Sequence, residues 1–168
     1  VCDSEDAPKI RALGLACVEI EEKRTDSLQE LLLEVRSGKL SKEEARSLAR
    51  DPLMYGMYLL RLGEGDGLVA GASYTTRDVL RAGLWLVGKA EGTQTVSSSF
   101  YMIVPPFRDN AAPEVLTFSD CAVVPQPTSE QLADIAISAA DARTRIVGDE
   151  PKIALLSYST KGSGGNGE

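Results

Sequence analysis

Residues 115–132 read Val-Leu-Thr-Phe-Ser-Asp-Cys-Ala-Val-Val-Pro-Gln-Pro-Thr-Ser-Glu-Gln-Leu, and this stretch decides the predicted fold class. A short run of β-forming residues leads into a turn that contains two prolines. Residues 128–131 then have the spacing of a capping box, which starts a helix. An apolar run at 152–157 predicts a buried strand, and a Gly-Ser-rich loop follows it. This order of strand, helix, strand and loop predicts a parallel crossover with a ligand-type loop at a strand's carboxyl end.

Helices alternate with short apolar segments along the rest of the chain. Serine and threonine caps, including an N-cap cluster at 25–27, and a proline at a first helical position predict the helix starts. The predicted helices cover residues 8–13, 28–35, 42–50, 53–62, 77–87 and 132–146. The predicted strands cover residues 17–20, 68–70, 95–104, 115–118, 121–124 and 152–157. The alternation predicts an α/β class with a largely parallel sheet.

Composition limits the classes of function. The 168 residues include 18 Lys and Arg against 25 Asp and Glu, which gives a net charge of −7. This acidic balance argues against a nucleic-acid surface. The sequence has no apolar run long enough to cross a bilayer and no signal-peptide pattern. We therefore expect a soluble acidic protein that binds neither nucleic acid nor membrane.

The cysteine and histidine content excludes two kinds of site. The chain has no histidine, and Cys2, Cys17 and Cys121 lack metal-ligand spacing, which excludes a zinc site and a Ser-His-Asp triad. The sparse, odd set of cysteines predicts the reducing cytoplasm. Asp120 and Cys121 look like a base and a nucleophile, but no histidine is present to activate the thiol. We expect a buried, inert Cys121 and an Asp120 that caps or hydrogen-bonds backbone.

Glycine-rich breaks indicate how the chain is organised. The break near Gly92 predicts a lobe boundary, with residues 1–92 in a first lobe and residues 93–168 in a second. The chain starts at Val1 and ends in a glycine-rich run, which we interpret as a fragment of a larger protein. The alternative is a complete domain with a frayed tail.

The segment Gly71-Ala-Ser-Tyr-Thr-Thr-Arg-Asp-Val-Leu-Arg81 has the features of a phosphate site. A predicted strand ends, small residues allow close approach to the backbone, two hydroxyls follow, and a helix begins. Helix N-termini expose N–H groups and a partial positive charge, which favour phosphate. Arg81, one turn into the helix, has the geometry to pair with phosphoryl oxygens. The alternative on sequence alone is an ordinary strand-to-helix turn with a solvated arginine.

The chain resembles the phosphotransacetylase family. That family carries a run like Phe-Ala-Asp-Cys-Ala-Val-Asn-Pro-Asn-Pro where this chain has residues 118–127, and a Leu-Ser-x-Ser-Thr-Lys-Gly-Ser loop where it has residues 156–163. The resemblance extends from Lys9 to Gly164, whereas the proteins of the family are considerably longer. It implies a three-layer α/β/α, isocitrate/isopropylmalate dehydrogenase-like, two-lobe architecture with a mainly parallel sheet, incomplete in this chain.

The predicted phosphate segment also matches a family motif, Ser-Gly-Ala-x-His-Ser/Thr-Thr-x-Asp-x-x-Arg-Pro. The matching residues are Gly71, Ala72, Thr75, Thr76, Asp78 and Arg81. Tyr74 stands in place of the histidine and Ala82 in place of the proline. In the family this loop and arginine line the cleft for acyl phosphate and coenzyme A. The resemblance implies a catalytic Arg81 and substrate phosphate bound by Gly71, Ser73, Thr75 and Thr76.

Further site residues follow from the same resemblance. Arg36 precedes a turn at 37–41 that matches a Lys-Gly-Met-Thr-like turn, which implies a second catalytic arginine; the alternative is a cation that favours a helix C-terminus. Ser97 and Ser98 match a substrate-facing strand, unless they simply pack under a helix. The loop after the last predicted strand implies cleft-facing Ser159, Thr160, Lys161 and Gly162.

The activity implied is that of a phosphate acetyltransferase. Such an enzyme transfers acetyl reversibly between acetyl phosphate and coenzyme A by direct thiolate attack in a ternary complex. Coenzyme A is then a substrate, no metal or separate cofactor is needed, and the full protein is a homodimer. The alternatives are an acetyl-CoA-responsive regulatory domain of a malic enzyme, a phosphate butyryltransferase, and a degenerate scaffold.

The resemblance also implies that this chain is inactive alone. The family's general-base aspartate and a further Ser-Arg pair lie beyond its last residue. We expect the 168 residues by themselves to lack turnover and to expose apolar surface.

Overall fold

The computed structural model describes residues 1–2, 4–107 and 112–156. The chain divides into two compact units, Val1–Lys89 and a second unit that begins at Ala90. The division falls close to the lobe boundary predicted near Gly92.

The first unit is helical. Its elements are α1 (Ala7–Ala12), α2 (Glu22–Val35), α3 (Lys42–Ala49), α4 (Pro52–Arg61) and α5 (Thr76–Leu86). A single parallel bridge joins Cys2 and Glu19 near its start.

Side-chain caps fix the starts of α3 and α4. The Ser41 hydroxyl accepts from the Glu44 N–H at 3.2 Å, and the Glu44 carboxylate accepts from the Ser41 N–H at 2.8 Å. Asp51 Oδ1 accepts from the Leu53 N–H at 3.0 Å, and Pro52 fills a first-turn position that needs no N–H. Both helices begin where the sequence signals predict.

The start of α2 differs from the prediction. The helix begins at Glu22, so the predicted N-cap cluster at 25–27 lies inside it. The Thr25 hydroxyl donates to the Glu22 carbonyl at 2.7 Å instead of capping. Threonine forms this bond to a preceding carbonyl as readily as it caps, so the residue type alone does not fix the boundary.

The core of the first unit fixes the position of α5. Its largest fully buried side chains are Tyr55, Leu28, Leu32, Met54 and Leu86. Tyr55 Oη accepts from the Glu21 N–H at 3.3 Å, so its polar end is paired. Gly56 allows Leu68 to pack on α4, because a Cβ at position 56 would lie 2.8 Å from Leu68 Cδ1. Leu86 therefore anchors α5 against α2 and α4.

The second unit pairs a hairpin with one long helix. Strand β1 (Ser99–Val104) runs antiparallel to β2 (Glu114–Ser119), and α6 (Ser129–Ile146) packs against β2. The predicted capping box starts α6, since Thr128 Oγ1 accepts from the Gln131 N–H at 3.2 Å and Gln131 Oε1 accepts in return at 2.9 Å.

One face of the hairpin is apolar and open. Phe100, Met102 and Phe118 are 59%, 49% and 51% exposed. Phe100 lies opposite Phe118, and Met102 lies two residues from Phe100, so all three share a face. We call these three residues the open sheet face.

The prediction of a largely parallel sheet is wrong for the described residues. Their only sheet is the antiparallel β1–β2 pair. The predicted strand at 68–70 is unpaired, and so is the described part, 152–156, of the strand predicted at 152–157, whose last residue lies outside the described residues. Val69 is 103% exposed and Leu156 is 83% exposed. A strand needs a neighbour that completes its hydrogen-bond ladder, and no described segment supplies one. The mixed α/β class itself is confirmed.

Three further strand predictions also need correction. Residues 17–20 contribute only the bridge at Glu19. The strand predicted at 95–104 begins at Ser99. Residues 121–124 form no strand; 121–123 are bends, and the Asp120 side chain binds the N–H groups of Val123 and Val124.

The cysteines differ from expectation as well. Cys2 and Cys17 form a disulfide with Cα atoms 6.6 Å apart, a pairing that their spacing alone does not predict. Cys121 is a free thiol and is half-buried, not fully buried as predicted. Among residues 1–2, 4–107 and 112–156, no helix has the length and apolar character needed to span a membrane.

Candidate functional site

The N-terminus of α5 is built by a capping box. Thr75 Oγ1 accepts from the Asp78 N–H at 3.2 Å, and the Thr75 N–H donates to Asp78 Oδ2 at 3.4 Å. The Thr75 hydroxyl also donates to Asp78 Oδ2 at 2.6 Å. This hydroxyl bond is the main cause that lowers the pKa of Asp78 below 3.8, and the charge of Arg81 adds to it. Thr76, the first residue of α5, is exposed.

The loop before α5 is held against α4. Gly71 has φ +124°, a conformation that side-chain-bearing residues rarely adopt. Tyr74 Oη donates at 3.1 Å to Oδ2 of Asp51, the carboxylate that caps α4. Gly71 and Ser73 line an open groove of about 450 Å³ between α4 and the loop. The predicted phosphate-binding backbone therefore borders open space.

Arg81 lies on the outer side of α5. Its Nη2 donates to Asp78 Oδ1 at 2.9 Å, one turn earlier in the helix. Its guanidinium carbon lies 5.5 Å from the centroid of the Trp85 ring, one turn later. The Arg81 side chain is 42% exposed, so the cation is held on two sides and still faces solvent.

Arg36 reaches the same ring from α2. It is the C-cap residue of that helix, and its guanidinium carbon lies 4.5 Å from the Trp85 centroid. Arg36 Nε is buried and finds no hydrogen-bond acceptor among the described residues. A buried unpaired N–H is costly, which makes this atom a candidate contact for a ligand.

Among the described residues, positive charge is in excess around Trp85. The guanidiniums of Arg36 and Arg81 both lie near its ring, and the Asp78 carboxylate pairs with Arg81. Arg36 has no ion-pair partner in this described part of the chain, and its Nε is unpaired there. An oxyanion would supply both the charge and the acceptor, and planar guanidinium forks suit phosphoryl oxygens. We refer to Arg36 and Arg81 as the arginine pair.

Ser98 and Asp120 form a hydrogen-bonded node in the second unit. Asp120 Oδ1 accepts from the N–H and the hydroxyl of Ser98 at 2.7 and 2.8 Å. Asp120 Oδ2 accepts from the N–H groups of Val123 and Val124 at 2.9 and 2.6 Å. The Ser98 hydroxyl in turn accepts from the Cys121 N–H at 3.1 Å. Ser98, predicted to bind substrate, is thus engaged by its own unit.

The ionisation of Asp120 follows from these contacts. Burial raises the pKa of the carboxyl, but the bonds from Val124, Ser98 and Val123 outweigh burial and hold the pKa at about 2. A carboxylate this acidic is a weak base near neutral pH. Asp120 hydrogen-bonds backbone, as predicted.

The remaining predicted residues are placed as follows. Ser97 is half-buried and precedes β1, outside the strand in which it was predicted. Ser159, Thr160, Lys161 and Gly162 lie outside the described residues.

Trp85 is the site residue that sequence reasoning missed. A local signal exists, because Trp85 lies four residues after Arg81 and such pairs share a helix face. Tryptophan is also the best aromatic partner for a cation. Its contact with Arg36 has no sequence signal, since the two residues meet only through the packing of α2 on α5.

Comparison with known proteins gives consistent matches. A sequence model of the family described as "Phosphate acetyl/butaryl transferase" matches residues 4–168. The chain is 46% identical over 147 residues to a phosphate acetyltransferase of Treponema pallidum, which covers 87% of this chain and 44% of the relative. It is 42% identical over 141 residues to a phosphate acetyltransferase of Clostridium acetobutylicum, covering 83% of this chain and 42% of the relative.

A solved structure is similar as well. The EutD phosphotransacetylase from Staphylococcus aureus matches with a TM-score of 0.67 at 30% identity, over 97% of this chain and 49% of that chain. The chain therefore spans less than half of the length of these relatives.

Proposed function

The chain belongs to the phosphate acetyl/butaryl transferase family, which matches residues 4–168, and we propose that it is part of a phosphate acetyltransferase. The relatives of this name, at 46% and 42% identity, support acetyl as the transferred group. The observation that carries the assignment of residues is the convergence of Arg36 and Arg81 on Trp85, with Arg36 Nε unpaired among the described residues.

The proposed reaction joins acetyl phosphate and coenzyme A. The thiol of coenzyme A loses its proton to a base, and the thiolate attacks the carbonyl carbon of acetyl phosphate. A C–S bond forms, and the bond between the carbonyl carbon and the bridging oxygen breaks. Inorganic phosphate leaves with that oxygen and with the electron pair of the broken bond. Neutralisation of the phosphate by cations stabilises both the bound substrate and the leaving group.

The arginine pair supplies that neutralisation. We assign Arg36 and Arg81 to the phosphoryl oxygens of acetyl phosphate, with Arg36 Nε donating one of the bonds. The first turn of α5, with Thr75 and Thr76, and the loop residues Gly71 and Ser73 line the approach to the same group. We assign the base to a residue outside these 168, as the family resemblance implies; Asp120, with a pKa of about 2, is too weak a base for this role.

The rest of the proposed site belongs to the second lobe. Residues 1–92 form part of the first lobe and residues 93–168 part of the second, in a three-layer, dehydrogenase-like architecture. Ser97, Ser98 and the loop residues Ser159, Thr160, Lys161 and Gly162 are assigned to the substrate cleft. The complete protein is a cytoplasmic homodimer that uses coenzyme A as a substrate and needs no separate cofactor.

The assignment is tested by kinetics on the complete protein that contains this chain. Acetyl-CoA formation is followed while the acetyl phosphate concentration is varied at saturating coenzyme A. It is then followed while the coenzyme A concentration is varied at saturating acetyl phosphate. Arg36→Gln and Arg81→Gln should each lower kcat/KM for acetyl phosphate about tenfold to a thousandfold, because each removes a charged partner of the phosphoryl group.

Arg46→Gln is the matched control. Arg46 is exposed on α3, a helix that supplies no residue to the proposed site. Its removal should change kcat/KM less than about twofold. Equal effects of Arg46→Gln and Arg81→Gln would reject the site. A complete protein that forms no acetyl-CoA would reject the function.

A further inference from the structure

Trp85 contacts both members of the arginine pair. The guanidinium carbons of Arg36 and Arg81 lie 4.5 and 5.5 Å from its ring centroid. Both distances are within the range in which the ring face attracts a cation. Trp85 is the only tryptophan of the 168 residues and is half-buried at the edge of the core.

The distances of 4.5 and 5.5 Å to one ring centroid place the two guanidinium carbons no more than about 10 Å apart, a range at which like charges repel each other. The carboxylate of Asp78 offsets Arg81, at 2.9 Å. Arg36 has no carboxylate partner among the described residues, so the ring of Trp85 is the group that faces its charge. The ring's negative face attracts a cation without neutralising it, which a carboxylate would do.

We propose that Trp85 is a positioning residue that holds Arg36 and Arg81 together as one phosphoryl-binding unit. This inference rests on the proposed function. The side chain orients Arg36 from α2 and Arg81 from α5 while both cations keep their full charge for the substrate. It touches neither the acetyl group nor the thiol in this account, so its role is exerted through the two arginines.

The competing reading is that Trp85 only fills space at the edge of the core. The two readings differ in what they require of the side chain. Packing needs volume and apolar surface, which phenylalanine and leucine each supply only in part, so a loss of packing also lowers the unfolding temperature. Positioning needs the electron-rich face, which phenylalanine keeps in weaker form and leucine lacks.

The first experiment compares Trp85→Phe with Trp85→Leu in the complete protein. Trp85→Leu should raise the KM for acetyl phosphate about threefold to tenfold, with kcat changed less than about twofold, because binding of ground state and transition state falls together. Trp85→Phe should recover most of this loss. Leu84→Ala, at an adjacent and 47% exposed position, is the control and should leave the KM unchanged.

The second experiment keeps the shape of the side chain. Tryptophan carrying one, two or three fluorines is incorporated, and the Trp85→Phe protein with the same labels corrects for tryptophans elsewhere. Fluorine withdraws charge from the ring face, so the KM for acetyl phosphate should rise step by step with fluorine number while the unfolding temperature stays constant. If Trp85→Leu fails to fold, this series still distinguishes a positioning role of Trp85 from a packing role.

The outcomes separate the two proposals. No trend with fluorine number, or equal KM values for the Phe and Leu variants, would overturn the role of Trp85 and leave the function untouched. A trend confined to the KM for coenzyme A would support the role of Trp85 but move the arginine pair to a coenzyme A phosphate. Arg36→Gln and Arg81→Gln without effect would overturn the site on which Trp85 acts.

Discussion

Four hydrogen bonds converge on the carboxylate of Asp120, two from Ser98 and one each from Val123 and Val124. They join Ser98, the residue before β1, to the turn after β2. Asp120 thereby converts a segment with strand-forming composition into a turn. Its low pKa is a consequence of that structural role.

Asp120→Asn should destabilise the second unit by about 2 kcal/mol. The amide N–H₂ group that replaces one carboxylate oxygen cannot accept the hydrogen bonds that this oxygen accepts from its N–H donors. The folded pKa of about 2 lies below the ordinary 3.8, so the stabilisation is present above the ordinary pKa and is lost as the pH falls from 3.8 towards 2. Hydrogen exchange at the Val123 and Val124 amides, at neutral pH and at pH near 3, measures it. The difference between wild type and variant should shrink at the lower pH.

Asp141→Asn is the control for that experiment. Asp141 is exposed on α6, so its substitution should change stability by less than about 0.5 kcal/mol at either pH. If Asp120→Asn and Asp141→Asn exchange alike at neutral pH, the node does not stabilise the turn.

At the scale of elements, Arg143 ties α6 to its surroundings. Its Nη1 donates to the Val115 carbonyl and to Thr117 Oγ1, both at 2.9 Å, which joins α6 to β2. Its Nε and Nη2 donate to the Asp149 carboxylate at 2.7 and 2.5 Å. The side chain is only 17% exposed, so these bonds are largely shielded from water.

Arg143→Met should lower the free energy of unfolding of this unit by about 2–3 kcal/mol. Methionine keeps the aliphatic stem, but it leaves the Asp149 carboxylate and the carbonyl in β2 without their hydrogen-bond donor. Arg145→Met, on the same helix at an exposed position, should cost less than about 0.5 kcal/mol. Hydrogen exchange of β2 in the two variants gives the comparison. Equal protection of β2 in both would show that the helix is held without Arg143.

Elements coded by local signals are predictable from this sequence. Ser41 with Glu44, and Thr128 with Gln131, start their helices where the spacing indicates, because a capping box involves only four residues. Strands are harder, because residues 68–70 and 152–156 have strand composition but no described partner for their ladders. The prediction of a parallel sheet is wrong for the same reason.

The same difference between local signals and long-range packing applies to the residues of the candidate site. Its α5 portion, with Thr75, Asp78 and Arg81, was predictable from one continuous motif. The contact between Arg36 and Trp85 depends on how α2 packs on α5, and no short-range pattern encodes it.

At the scale of the whole molecule, the open sheet face and the length of the relatives point the same way. Phe100, Met102 and Phe118 expose about half of their surfaces on one face of the hairpin. Large contiguous apolar patches normally lie against other protein. The relatives are more than twice as long as the aligned part, since it covers 44% and 42% of them.

The 168-residue chain alone should therefore form no acetyl-CoA from acetyl phosphate and coenzyme A, because the proposed base lies elsewhere. It should also self-associate through the open sheet face. Light scattering and the same assay on the complete protein provide the comparison. Met102→Glu should reduce the association, while turnover by the isolated chain would place the base within it.

The most direct test of the central claim is calorimetric titration of the complete protein with inorganic phosphate. We expect Arg36→Gln and Arg81→Gln each to weaken phosphate binding about tenfold or more, and Arg46→Gln to bind phosphate as the wild type does. Unchanged phosphate affinity in both Arg36→Gln and Arg81→Gln would contradict the claim that the arginine pair binds the phosphoryl group.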